Sequence, residues 1–156
     1  MKPGSDEWIT RREALSNECA LGNQQAVAFL AALGAYVELW DDLIDKDKVL
    51  SDAEICDVLS AGLLDIAMNP WVQAHRVYLA PIIVQMISAY MTSEKLAHHS
   101  DRRVRQRAFH IRNYPLEAYP AVAFLSGGMP HMLDMEPKIR EFFAFEDFDE
   151  WEYAHG

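Results

Sequence analysis

Cysteine is nearly absent from this chain: Cys19 and Cys56 are the only two in 156 residues. They lack the paired spacing of a structural zinc site and are too few for a disulfide framework. A reduced, cytoplasmic setting fits them, although a single disulfide between them stays open. Positive charge is scarce too, with 14 Lys and Arg against 24 Asp and Glu, a net charge of −10. That argues against direct nucleic-acid binding through the surface at large, which needs cations for the phosphates. No apolar run reaches the roughly 20 residues of a membrane-spanning helix. The longest, residues 77–91, is interrupted by Gln85 and Ser88 and contains Pro81, so it is expected to be a core helix rather than a span. Strand-like alternation, internal repeats, low-complexity tracts and glycine-rich phosphate loops are all missing. No serine sits in a nucleophile motif, so covalent catalysis has no support. The polar N-terminus does not read as a secretory signal.

What remains is 51% apolar and 24% charged, the composition of a globular protein. The expectation is one all-α domain over 1–156, loosely a bundle of five or six helices, closed by an acidic-aromatic tail over 146–156. Ser5, followed by Asp6 and Glu7, predicts the start of a first helix that ends before Gly22. A second helix is expected over 23–45. Its apolar positions Ala26, Leu30, Leu33, Val37, Trp40 and Ile44 alternate steps of four and three, a helical stripe. Gly34, Glu38, Asp41 and Asp45 lie on the other flank, where small residues beside carboxylates leave room for a packed helix or a ligand. Ser51 with Glu54 predicts a capping box for a third helix running to about Met68, stopped by Asn69-Pro70. A fourth is expected from about Leu79, with Pro81 in its first turn, to His98. Ser100-Asp101 begins a fifth, Gly127-Gly128-Met129-Pro130 marks a stop, and a last segment is expected from Asp134 to Trp151.

Four carboxylates, Glu38, Asp41, Asp42 and Asp45, fall within eight residues at the end of the central helix. Asp41 and Asp45 are one turn apart, and Glu38 is one turn before Asp41, so the side chains can converge on one cation. Oxygen ligands without a neighbouring His or Cys suit Mg²⁺ or Mn²⁺. Glu54 and Asp57 would face this end across a helical hairpin. The competing view is a solvated helix end. Acids oppose the dipole there by roughly 0.3–1 kcal/mol each, a cost natural helices commonly bear.

Residues 101–128 carry five arginines against Asp101 and Glu117. Arg102, Arg105 and Arg112 share a helix face able to grip an anion, or else to pair with the acidic tail. In the tail, Phe148, Trp151 and Tyr153 alternate with acids. They are expected either to dock as a last helix or to present a partner-binding element. Glu94 and His98 lie one turn apart, but no second helix supplies the further ligands zinc needs.

Asp41-Asp42-Leu43-Ile44-Asp45, on a helix led by Glu38, resembles the first aspartate-rich motif of class I isoprenoid synthases, nearest to the squalene/phytoene-synthase branch. The resemblance covers about residues 26–47. It implies an all-helical fold in which Asp41, Asp42 and Asp45 bind Mg²⁺ that holds a prenyl diphosphate. The family's second aspartate-rich helix has no counterpart in a comparable place. Glu38-x-x-Asp41 and Glu54-x-x-Asp57 also resemble the paired acidic motifs of all-helical nucleotide pyrophosphatases of the MazG type, which implies Mg²⁺-assisted phosphoanhydride hydrolysis. The Trp40-Asp41-Asp42-Leu43-Ile44-Asp45 stretch is similar as well to small, mostly uncharacterised bacteriophage proteins. The sequence as a whole reads as a small acidic helical accessory or interaction protein, non-catalytic, with a protein partner. The alternative is a Mg²⁺-dependent protein that binds or hydrolyses a diphosphate or nucleotide.

Overall fold

The computed structural model describes residues 4–45 and 49–155, and the side chains of residues 45, 61, 154 and 155 lie outside that description. The expected polar turn at 46–48 falls outside it as well. Seven α-helices make up most of the described chain, and no strand occurs among the described residues.

Helix α1, Asp6–Cys19, is capped by Ser5, whose hydroxyl accepts from the Trp8 N–H at 3.3 Å. It ends in a tight reversal through Leu21 and Gly22, both at positive φ. Gly22 fits that conformation because it has no Cβ to clash. Helix α2, Gln24–Asp45, starts where the Asn23 side chain accepts from the N–H groups of Gln25 and Ala26. Helix α3, Asp52–Ala61, has the expected capping box: Ser51 accepts from the Glu54 N–H, and Glu54 accepts from the Ser51 N–H at 2.8 Å.

Two expectations fail in the next stretch. The third helix does not run unbroken to Met68 but widens into a π-helical turn at Gly62–Ile66. A Cβ at Gly62 would lie 2.8 Å from the Tyr36 ring, so glycine lets α2 pack against this turn. Helix α4, Pro70–Ala97, also begins about nine residues before the expected start at Leu79. Asn69-Pro70 is a start signal rather than a stop. The Asn69 side chain accepts from the Trp71 and Val72 N–H groups, and Pro70 takes the first-turn position where its missing N–H costs nothing. Pro81 therefore sits in mid-helix, where it removes only the bond to the carbonyl of exposed Val77.

Helix α5, Arg102–Arg112, is capped by Asp101 as expected. A 3-10 turn at Tyr114–Glu117 leads into α6, Ala118–Phe142. The glycine pair interrupts α6 at Gly128, whose φ of 74° and ψ of −172° are not helical. The chain then resumes helix directly through Pro130, so no separate start near Asp134 exists and Pro137 lies inside the helix. The expected final segment to Trp151 is divided. After α6 ends at Phe142, a short α7, Phe148–His155, forms on its own.

The main core lies among α1, α2, α4 and α6, where Cys19, Phe29, Leu79, Val122 and Ile139 are almost wholly buried. Each large side chain so buried contributes about 1.5–3 kcal/mol. A smaller cluster of Ala97, Ala108, Phe109 and Trp151 holds α7 against α5 and the end of α4. His131 ties α6 to α1, its Nε2 lying 3.1 Å from the carbonyls of Glu18 and Cys19 at the end of that helix.

Candidate functional site

Glu38 and Asp41 follow Gly34 at helical spacing, so all three project from one flank of α2. They line a cavity of about 510 Å³ whose other walls come from α1, α4, the end of α5, the 3-10 turn, the start of α6 and Phe143, Phe145 and Glu146. The floor is apolar, with Leu30, Leu33, Val37 and Leu116. Trp8, Tyr90, Tyr119, Phe143 and Phe145 supply aromatic walls. Gly34 has a direct role, since a Cβ there would come within 3.3 Å of the Arg12 guanidinium. Glycine thus lets Arg12 cross from α1 toward α2, where it stacks over the Trp8 ring at 4.6 Å and meets Glu38 at 3.4 Å.

Asp41 is bound from two directions. The Tyr90 hydroxyl donates to its Oδ1 at 2.6 Å, and Arg112 donates to the same oxygen at 3.4 Å. The other arm of Arg112 reaches Glu146 at 3.0 Å. Burial holds the Tyr119 phenol above its ordinary pKa, against the opposing influence of a Ser16 hydrogen bond and the Arg12 charge, so this wall stays neutral. The Trp8 indole N–H is buried without an acceptor among the described residues.

The sequence-derived candidates divide between this cavity and other places. Glu38, Asp41 and Arg112 come together in it. Asp42 lies half-buried beside it on α2, and the Asp45 side chain falls outside the described residues. Glu54 is occupied in the capping box, and Asp57 is exposed on α3. Among the described residues, no three of His, Cys, Asp or Glu are grouped so as to hold a metal ion.

Arg102 pairs with Asp149 and Glu152, and Arg105 pairs with Glu152 at 2.8 Å. These arginines therefore neutralise the acidic tail. Phe148 meets Phe109 edge-on and lies under Arg102, Trp151 is 2% exposed, and of the three tail aromatics only Tyr153, at 92%, stands free of the surface. The tail is thus a docked helix.

Sequence reasoning missed Trp8, Arg12, Tyr90 and Glu146 at the cavity. The signal for Arg12 was the short α1–α2 turn, which lays the two helices side by side. Tyr90 is 49 residues from Asp41, and no local pattern pairs them.

A second omission is larger. The apolar run of α4 is only half used by the core. Leu79, Met86 and Tyr90 are buried, but Val77 is 85% exposed and Val84 65%, with Ile87 and Met91 also exposed. Leu63, Leu64 and Met68 are exposed on the preceding turn. No single described helix is long and apolar enough to cross a membrane. Comparison with protein-family models, curated proteins and solved structures gives no match for this chain.

Proposed function

We propose that this chain is a non-catalytic accessory protein that acts by binding another protein, with the outer face of α4 as its docking helix. The observation that carries this is the exposed seam Val77, Ala80, Val84, Ile87 and Met91. These residues recur at alternating steps of three and four along about 21 Å of helix. From Val77 to Ser93 the sequence has no charged residue. A solvent-facing helix surface is ordinarily charged, and a contiguous exposed apolar patch marks an interaction site. Such a seam fits an amphipathic helix of a partner, which would lay its own apolar positions between these side chains. Comparison of pull-downs with wild-type protein and with Val84→Glu/Ile87→Glu tests this. The wild type should retain a partner that the variant loses, with unchanged circular dichroism. Equal recovery by both would contradict the reading.

The alternative, Mg²⁺-dependent handling of a diphosphate, draws support from one observation: Asp41 opens into a cavity that also holds Arg12 and Arg112. Against it weighs the prior engagement of Asp41 by Tyr90 and Arg112. A Mg²⁺ titration separates the two. A site with millimolar affinity would raise the melting temperature by a few degrees at ~10 mM Mg²⁺, and Asp41→Ala would remove the rise.

A further inference from the structure

The cavity beside α2 lies apart from the α4 seam. Its volume of about 510 Å³ is within the range of small-molecule sites, roughly 300–1,000 Å³. Its charges decide what would enter. Glu38, Asp41 and Glu146 stand against Arg12 and Arg112 among the described lining residues, which leaves one excess negative charge. Both guanidiniums are already committed. Arg112, its side chain only 14% exposed, bridges Asp41 and Glu146, and Arg12 lies between Trp8 and Glu38. An anion would have to displace carboxylates from those arginines and leave them unpaired in a partly apolar site, which is costly. A cation competes only with the Arg12 contact at Glu38, the carboxylate most open to solvent among the three. Glu38 has a largely exposed side chain and one loose contact with Arg12 at 3.4 Å. Tyr119, Phe143 and Phe145 line the cavity as well, and aromatic rings attract an ammonium group. Leu30, Leu33 and Val37 would receive an apolar body.

We propose that this cavity is a small-molecule site for an aromatic or aliphatic ligand that carries a single positive charge, an arylalkyl- or alkylammonium. Glu38 is the residue that reads the charge, and the α2 floor takes the hydrocarbon.

Calorimetry on the full chain with three probes of one shape tests this: 1-naphthylmethylamine, 1-naphthylmethanol and 1-naphthoate, at about pH 7 where the amine is protonated and the acid ionised. The amine should bind about tenfold or more tighter than the alcohol, and the carboxylate weakest. Glu38→Gln should close most of the gap between amine and alcohol without weakening the alcohol. Val37→Trp, which fills the cavity, should weaken all three.

Several results would overturn the proposal. Carboxylate binding as tight as the amine would make the arginines the recognising groups. Equal binding of all three would make this an unselective apolar groove. No heat from any probe up to about 1 mM would also count against it. Amine binding unaffected by Glu38→Gln would place it elsewhere on the acidic surface. Glu38 is exposed, so that variant keeps the test valid even if Val37→Trp fails to fold.

Discussion

Asp41 receives the Tyr90 hydroxyl and the Arg112 guanidinium on one oxygen, so it links α2 to α4 and α5. Tyr90→Phe removes one donor and leaves the ring stacked near Trp40. The expected loss is about 1 kcal/mol in urea unfolding, since Asp41 stays partly solvated. No change would mean that the bond contributes nothing. The two cysteines make a second residue-scale contrast. Burial, aided by the Glu18 charge, pushes the Cys19 thiol from the ordinary 9.0 up to about 12, whereas Cys56 is exposed. A disulfide reagent at mildly alkaline pH should label Cys56 quickly and Cys19 only after denaturation. The pH dependence follows in sign. The folded state keeps Cys19 protonated, so its contribution is whole below about pH 9 and is lost as the pH rises toward 12. Cys19→Ala should flatten that alkaline decline in a melting series. At this scale the sequence revealed that Asp41 shares a flank of its helix with Gly34 and Glu38, but not its partners. A helical period orders the residues of one helix and carries no information on a side chain 49 or 71 residues away.

Helix α7 is eight residues long, too short to persist alone, so it depends on what it docks against. Trp151 fills the small cluster with Phe109, and Glu152 receives Arg102 and Arg105. Burial alone would raise the Glu152 carboxyl. The two arginines outweigh it and hold the carboxyl below its ordinary 4.5. The stabilisation is therefore present above about pH 4.5 and is lost as the pH falls through the lowered value. Tryptophan emission should shift red in that acid range as Trp151 is released, and a Trp151→Phe variant should lack that component. Trp151→Ala should cost up to about 3–5 kcal/mol in the docking of α7. Amide exchange should then rise over 148–155 while α2 stays protected. Uniform loss of protection would show that α7 and the main core unfold together. Element starts were legible at the side-chain caps Ser5, Ser51 and Asp101. Asn69-Pro70 is ambiguous in sequence, because the same dipeptide can end a helix or begin one, and only the packing of Trp71 and Val72 into the core decides.

At the scale of the whole molecule, the all-α architecture followed from helical periodicity and the lack of strand alternation. The apolar run of α4 promised a buried helix, and the fold buries one side of it only. Composition cannot distinguish the two outcomes, because an apolar residue facing the core and one facing a partner obey the same period. The seam that remains open is the largest departure from a self-sufficient core, and the proposed interaction function rests on it. The direct test is site-specific photo-crosslinking in the native cell, with a benzophenone side chain placed at Val84 or, as a control, at exposed Glu13 of α1. The account predicts a discrete crosslinked product with one other protein from position 84 and none from position 13. Absence of any adduct at position 84, from protein that is folded and expressed, would contradict it.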